Sequence, residues 1–309
     1  MLNNLRKFIN HPNLLFISLG HRGCFHWMDD ETYLKIAYRI KTGKKLNLNP
    51  PVTFNEKIQW LKIHDHRPEY TTMVDKCEAK KWVANIIGSE YIIPTLGVWN
   101  KFDDIDFDKL PNEFVLKCTH DSGGIVICRD KLKLDKDATR KKIETCLKHN
   151  FFWGQREWAY KAVKPRIIAE EYMEDDAAKM LGSQGLTDYK FFCFAGIPRF
   201  VYVSCGLENH STAQISFLDM EWKFTDFRRS DYRPLSCIPP KPTKFSKMKE
   251  IASQLSREGG VPFVRVDLYE VNGKIFFSEM TFYPCSGFMP LTPEQYDKKL
   301  GEFISIENV

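Results

Sequence analysis

The sequence lacks a paired-cysteine motif. Its nine cysteines are scattered singly over 309 residues, and no two form a CxxC pair. This spacing excludes a zinc ribbon and argues against a disulfide framework, so it favours a reducing compartment. We expect each cysteine to act as a small buried hydrophobic residue.

Long hydrophobic runs and long runs of one charge are also missing. The N-terminal apolar run from Asn13 to Leu19 is too short to span a bilayer, and no small-residue cleavage site follows it. We therefore expect a cytoplasmic enzyme whose apolar run packs onto its own body, although a peripheral membrane contact through this run stays open. The net charge of +5 gives no reason to expect nucleic acid as a partner and leaves anionic small molecules as candidates.

The sequence does contain alternating helical and strand-like segments, without repeats or low-complexity linkers. Two helices are predicted within residues 29–63; Gly43 separates them, and a Thr53/Glu56 capping box starts the second. A third helix is predicted over 74–87, and a fourth runs from Asp135 or Asp137 to about 149. A fifth runs from a Ser246 cap to 258, and the last begins at a Thr292 cap. The predicted strands are 91–93, 114–116, 124–127 and 166–172, with two hairpins at 188–205 and 261–284. These patterns predict an α+β fold with antiparallel hairpins.

The second hairpin carries two carboxylates within apolar strands. Counting outward from its Asn-Gly turn places Asp267 opposite Ser278, one position from Glu279, so a small bulge or a register slip would bring both carboxylates to one face. Buried carboxylates need a cation as partner, and magnesium favours such oxygen ligands beside phosphates. Salt bridges from Arg265 or Lys274 are an equally good explanation at this point.

Two lysines lie between apolar strand residues. Lys117 comes just before the Ser122–Gly124 loop, and Lys190 lies in the first hairpin. Either lysine alone is most simply an edge residue whose ammonium group reaches water. A lysine followed by a glycine loop is better explained by a phosphate chain, because the lysine supplies charge and the loop supplies N–H donors. The loop is not a Walker A motif, since no Gly-Lys-Ser/Thr sequence follows.

A third group is the acidic segment from Glu170 to Asp176, at the end of an apolar strand. One explanation is that the chain simply leaves the core for water there. The other is that the strand end contacts an adenine edge, with a following carboxylate on the ribose hydroxyls.

Taken in this order, these features resemble an ATP-grasp enzyme, in which two α+β lobes clamp ATP between antiparallel sheets. More narrowly, the chain resembles the teichuronopeptide-biosynthesis-type (TupA-like) ATP-grasp family, which is found with bacterial surface-polysaccharide genes. The resemblance runs from about residue 29 to the C-terminus, and the stretches that carry it are TFNEKIQWLK (53–62), DKCEAKKWV (75–83), IIPTLGVW (92–99), LPNEFVLKCTHDSGG (110–124), PRIIAEEYM (165–173), DYKFFCFAGIPRF (188–200), and VRVDLY with SEMTFYPCSGF (264–288).

The resemblance implies ATP and Mg²⁺ as cofactors. It also implies that the chain has three parts: an N-terminal helical segment (1–70), an ATP-grasp lobe with the glycine loop (71–172) and a second lobe with the metal site (173–309). The implied ATP-binding residues are Lys80, Lys117, Ser122, Gly123, Gly124 and Lys190, with Glu170, Glu171, Tyr172 and Met173 along the adenine and Glu174 or Asp175 at the ribose. The implied metal ligands are Asp267, Glu279 and Thr281. Lys80 and Thr281 replace the arginine and asparagine that the family usually has.

The implied reaction activates a carboxylate as an acyl-phosphate and lets an amine attack it, with release of ADP and phosphate. Lys190 and Arg265 are the expected catalytic cations. The family context implies a uronic acid of a capsular or lipopolysaccharide sugar as the carboxylate and an amino acid or amino alcohol as the amine, with possible association with membrane-bound polysaccharide machinery. Two alternatives remain: a glycosyltransferase of polysaccharide biosynthesis, and a nucleotide-binding protein without catalysis.

Overall fold

The computed structural model describes residues 12–180, 185–205, 213–307 and 309. Its α-helices are α1 Pro12–His21, α2 Asp30–Thr42, α3 Phe54–His64, α4 Glu69–Val74, α5 Glu78–Ile87, α6 Lys136–Leu147, α7 Phe152–Gln155, α8 Asp176–Met180, α9 Phe245–Glu258 and α10 Gln295–Gly301. In this part of the chain, every helix is too short or too polar to cross a bilayer.

The strands are β1 Thr95–Trp99, β2 Phe114–Cys118, β3 Ile125–Cys128, β4 Ile167–Glu171, β5 Asp188–Phe194, β6 Ile197–Cys205, β7 Gln214–Asp219, β8 Arg228–Arg229, β9 Phe263–Val271, β10 Lys274–Thr281 and β11 Leu291–Thr292. They form a four-stranded sheet in the order β1-β4-β2-β3, a five-stranded sheet in the order β10-β9-β5-β6-β7, and a small β11-β8 sheet. All of the strand pairs are antiparallel. The predicted α+β class with antiparallel hairpins is confirmed.

Local capping explains several of the predicted helix limits. Thr53 accepts a hydrogen bond from Glu56 N while the Glu56 side chain binds Thr53 N, which is the predicted capping box at the start of α3. Gly43 ends α2 in the left-handed conformation, where glycine carries no steric penalty. Asp135, one of the two candidates, caps α6.

The start of the helix predicted over 74–87 is wrong: the helix is α5, which begins at Glu78 and ends at Ile87, before Gly88 as predicted. The Asp75 carboxylate accepts hydrogen bonds from Cys77 N and Glu78 N, so it ends α4 and starts α5 in place of a continuous helix. The strand predicted at 91–93 is also wrong: Pro94 has no N–H for a ladder, and the strand begins at Thr95.

Two predicted N-caps are wrong as well. Helix α9 starts at Phe245, whose side chain is buried, and has no side-chain cap, so Ser246 lies inside the helix. Thr292 is not a helix cap, because its backbone pairs with Arg228 in the small sheet, and α10 starts only at Gln295.

The five-stranded sheet has helices on both faces. Helix α9 covers one face, where Phe245 packs against Phe191. Helix α3 covers part of the other face, where Phe54 packs against Phe263 with ring centroids 5.1 Å apart. The N-terminal helices therefore pack directly on the second predicted lobe, and α4 crosses residue 70, so the three-part division stays a prediction.

The N-terminal apolar run forms α1 and packs on the protein itself. Phe16 stacks on Phe25 and Tyr33 in a small hydrophobic cluster. The described cysteine side chains are all free thiols. Cys118, Cys128 and Cys193 are buried as expected, whereas Cys24 and Cys237 are exposed.

Candidate active site

A cleft of about 1340 Å³ lies between the four-stranded and five-stranded sheets. The predicted site residues that line it are Lys117, Ser122, Gly123, Glu170, Glu171, Tyr172, Met173, Lys190 and Glu279. The others do not line it: Lys80, Gly124, Glu174, Asp175, Arg265, Asp267 and Thr281. The fold thus brings the lysines, the glycine loop, the acidic strand end and one carboxylate of the hairpin to one cleft.

On the wall formed by the four-stranded sheet, one buried carboxylate holds two lysines. The register of β2 on β4 places Val115 opposite Glu170, so the Lys117 and Glu170 side chains share a face. Lys117 Nζ lies 2.5 Å from Glu170 Oε2, and Lys80 Nζ contacts Glu170 Oε1. Lys80 also donates to Ile93 O at 2.7 Å, which fixes it behind the cleft lining.

The charge on Glu170 is stabilised by these lysines. Burial opposes ionisation, but Lys117 and Lys80 outweigh it and lower the pKa of Glu170 to about 2. Burial lowers the pKa of Lys80, and Glu170 acts in the opposite direction. The three groups together carry a net positive charge beside the cleft, which suits a phosphate chain.

The glycine loop between β2 and β3 is closed by short-range hydrogen bonds. Cys118 N donates to Gly124 O at 2.8 Å, and Gly124 N donates to Asp121 Oδ1 at 3.0 Å. A Cβ on Gly124 would lie 2.7 Å from Cys118 Sγ, whereas one on Gly123 would meet nothing within 4 Å. Gly124 is therefore required by close packing beneath the loop, and Gly123 faces the cleft.

His120 and Asp121, which have no predicted role, support this loop. Asp121 caps Gly124, and its carbonyl accepts from Lys76 Nζ. His120 is buried, and its Nε2 lies 3.0 Å from the carbonyls of Cys146 and His149. These contacts anchor the base of the loop to α6.

At the acidic end of β4, the two ribose candidates differ in their surroundings. Asp175 is buried and accepts from Thr187 Oγ1 at 3.0 Å and from Ala178 N. Glu174 lies at the surface, where it accepts from the Tyr172 hydroxyl at 2.7 Å. Glu174 is thus the carboxylate that has room for a ligand.

The second hairpin contains a bulge, which is one of the two irregularities that would bring its carboxylates to one face. Phe277 pairs with Leu268 and Glu279 pairs with Asp267, so Ser278 is the extra residue. The bulge turns Glu279 to the same face as Asp267, as the register argument predicts.

Arginine and lysine hold the two carboxylates together. Arg265 Nε and Nη2 each donate to Asp267 at 2.7 Å, and Nη2 also donates to Glu279 at 2.8 Å. Lys190 Nζ lies 2.8 Å from Asp267 and 3.0 Å from Asp188. The Arg265 salt bridge that the sequence left open is therefore formed.

The electrostatics of this cluster favour the charged forms of Glu279 and Lys190 but not that of Asp267. Burial opposes ionisation of Glu279, but Arg265, Lys190 and Lys76 lower its pKa to about 2. Burial raises the pKa of Asp267, while Arg265 and Lys190 act against that rise. Burial also disfavours charged Lys190, yet Asp188 and Asp267 raise its pKa above the usual value.

The donor set at this end of the cleft fits magnesium. In nucleotide sites Mg²⁺ takes one or two protein carboxylates and fills its other positions with phosphate oxygens and water. Glu279 lines the cleft with 35% of its side chain exposed, and Thr281 Oγ1 lies 3.3 Å from it. Asp267 is fully buried, so Glu279 is the carboxylate best placed to meet an ion in the cleft.

The cleft also contains functional candidates that sequence reasoning missed, among them Lys76, Arg129, Asp188 and Tyr269. Asp188 had a signal, since it lies two residues before Lys190 in one strand and must share its face. Lys76 had none, because it reaches the loop only through the fold: its backbone N–H donates to Thr119 O.

Comparison with known proteins identifies the family. The model of the TupA-like ATP-grasp family matches residues 56–305, which confirms the predicted resemblance and the ATP-grasp fold class. A search of curated proteins found no match.

Several solved structures overlap the chain only in part. D-alanine–D-alanine ligase from Bacillus anthracis in complex with ATP is 15% identical, with a TM-score of 0.43 over 82% of this chain and 68% of that one. D-cycloserine synthetase DcsG is 12% identical, with a TM-score of 0.40 over 75% of this chain and 69% of DcsG. The ligase PsnB, in complex with Mg, ADP and a precursor variant, is 8% identical, with a TM-score of 0.43. The match covers 80% of this chain and 63% of PsnB, so this chain spans less than two thirds of PsnB.

Proposed function

Because the chain belongs to the TupA-like ATP-grasp family, we propose that it is an ATP-dependent carboxylate–amine ligase. The observation that carries the proposal is the pairing of two opposed walls in one cleft. One wall presents Lys117 and the glycine loop, and the other presents Lys190 and Glu279. A nucleotide triphosphate needs cations along its phosphates and carboxylate ligands for its metal, and this cleft offers both.

In this proposal ATP lies along the four-stranded sheet. Lys80 and Lys117 neutralise the phosphates, and Ser122 and Gly123 supply N–H groups over them. Glu170 positions the two lysines, and the strand end from Glu171 to Met173 lines the adenine. Glu174 binds the ribose hydroxyls in preference to Asp175, whose carboxylate is already bonded inside the protein.

Glu279, Asp267 and Thr281 would hold magnesium, which when bound offsets the charge on the phosphates. Lys190 and Arg265 lie beside these ligands. Lys190 orients the γ-phosphate, and Arg265 stabilises the negative charge that develops on the reacting carboxylate.

The reaction then proceeds in two steps. A carboxylate oxygen of the first substrate takes the γ-phosphoryl group, and ADP leaves. The amine of the second substrate attacks the acyl carbon, phosphate leaves, and the nitrogen loses a proton as the amide forms. We propose a uronic acid or similar sugar carboxylate as the first substrate, within the synthesis of a bacterial surface polysaccharide on the cytoplasmic side of the membrane.

The test is release of ADP with Mg²⁺, ATP, a panel of uronates and a panel of amines. We expect turnover only when both substrates are present, because each step consumes one of them. Lys117→Ala and Asp267→Ala should abolish it, whereas Lys109→Ala, at an exposed lysine, should not. Sugar-nucleotide turnover without ATP would indicate the glycosyltransferase alternative. ATP binding without turnover across the panel would indicate a passive nucleotide-binding protein.

A further inference from the structure

A row of polar side chains crosses the five-stranded sheet beyond the cleft. The strand registers pair Glu279 with Asp267, Asp267 with Lys190, and Lys190 with Tyr202. Directly paired residues face the same side of a sheet, so the Tyr202 hydroxyl continues the row that starts at the metal carboxylates. Tyr202 itself is not part of the cleft lining.

Arg229 lies at the far end of this row. Its Nη1 donates to the Tyr202 hydroxyl at 3.2 Å, and its Nε and Nη2 donate to Asp231 at 2.9 and 2.5 Å. A guanidinium group has five N–H donors. The bonds to described residues use three of them, so two donors of Arg229 are left for a ligand. Only 13% of this side chain is exposed, whereas its partner Asp231 is 42% exposed.

Arg265, like Arg229, has N–H donors that the described residues do not use. Its Nε and Nη2 donate to Asp267 and Glu279, and no described residue accepts from Nη1. Both arginines act electrostatically on the Tyr202 hydroxyl and on the Cys285 thiol. The Tyr202 hydroxyl and the Cys285 thiol are therefore near two guanidinium groups whose N–H donors are incompletely used by the described residues.

The turn that carries Cys285 is held rigidly. Cys285 and Ser286 are both left-handed, with φ of 51° and 54°, a conformation that costs free energy in non-glycine residues. Buried Lys62 donates to Ser286 O at 2.7 Å, and Gln59 donates to Gly287 O at 2.8 Å. Helix α3 thus holds the backbone of this turn in place.

We propose that Arg229, the Tyr202 hydroxyl and the Nη1 edge of Arg265 form a carboxylate-binding subsite for a substrate of the ligase. The inference rests on the proposed function and deepens it. The subsite lies about one strand spacing of 4.8 Å beyond Lys190, next to the reacting end of the proposed ATP site. Planar guanidinium groups match the geometry of a carboxylate, and the Tyr202 hydroxyl adds a donor.

The carboxylate has two possible sources, a uronic acid and an amino acid, and thermal unfolding separates them. The full chain is heated with and without Mg²⁺ and a non-hydrolysable ATP analogue. One arm compares glucuronate and galacturonate with glucose and galactose, and the other compares the common amino acids with their α-amides. The variants are Arg229→Gln and Tyr202→Phe, and the matched control is Arg228→Gln, which removes the exposed arginine next in the strand.

We expect one carboxylate series to raise Tm by about 2 °C or more while its neutral counterparts do not. Arg229→Gln should raise the carboxylate concentration needed for the same Tm increase about tenfold, since a charge-assisted hydrogen bond is lost. Tyr202→Phe should weaken this response while leaving the sheet packed, and Arg228→Gln should leave it unchanged. The responsive arm identifies the source.

The proposal is overturned if no carboxylate raises Tm, if neutral counterparts do so equally, or if Arg229→Gln and Tyr202→Phe both respond like the parent. The nucleotide analogue gives a separate readout. A parent protein that responds to Mg²⁺ and the analogue but to no carboxylate refutes the subsite alone, whereas absence of the analogue response counts against the proposed function.

Discussion

Glu170 connects the stability of the protein with its proposed phosphate site. The residue is 3% exposed and bonds to both Lys80 and Lys117. A buried carboxylate held by two ammonium groups stabilises the fold only while all three are charged. Glu170 is thus a positioning residue that holds the lysines at the cleft.

Glu170→Gln should destabilise the protein at neutral pH. The folded pKa of about 2 lies below the usual 4.5, so ionisation contributes stability above pH 4.5 that is lost as the pH falls toward 2. The shift corresponds to about 3 kcal/mol at pH 7. Urea unfolding at pH 7 and pH 3 should show a difference between parent and variant that shrinks by more than half at the lower pH.

The control for this prediction is the next residue in the chain, the exposed Glu171. Glu171→Gln should change the free energy of unfolding little at either pH. Equal stability of parent and Glu170→Gln at pH 7 would contradict the ion-pair account.

The glycine loop and the second hairpin are the elements that shape the cleft. The two neighbouring glycines of the loop have different surroundings, since Gly124 packs on Cys118 and Gly123 has open space around it. This difference gives a matched pair of substitutions within one loop.

Gly124→Ala should lower Tm and weaken ATP binding, because the new methyl group would overlap Cys118 and force the loop outward. Overpacking of this kind costs about 1 to 3 kcal/mol. Gly123→Ala should keep the stability of the parent. The measurements are thermal unfolding and ATP titration of both variants. The loop account fails if Gly124→Ala behaves like Gly123→Ala in both.

The elements also show what the sequence could predict. Short-range signals fix the capping box at Thr53 and the turn at Asn272-Gly273. The mismatch of Asp267 with Ser278 left a bulge or a slip open, and the structure contains the bulge. The later start of α5 was missed although its cause is local, since the Asp75 carboxylate accepts hydrogen bonds from Cys77 N and Glu78 N. Lys76 was missed because its neighbours are set by tertiary contacts and not by spacing.

At the scale of the whole molecule, two antiparallel sheets face one cleft, and helices α3 and α9 hold the five-stranded sheet from opposite faces. Lys117 comes from the four-stranded sheet, and the proposed metal carboxylates come from the five-stranded sheet. A ligand that joins Lys117 to these carboxylates must therefore contact both sheets, so binding should stabilise the fold as a whole.

The most direct test of the central claim is calorimetric titration of ATP into the protein, with Mg²⁺ and with the metal chelated. The account predicts saturable binding of one ATP per chain that weakens without Mg²⁺, weakens strongly in Lys117→Ala, and is unchanged in Lys109→Ala. Absence of saturable ATP binding to the parent protein with Mg²⁺ present, or equal binding by Lys117→Ala, would contradict it.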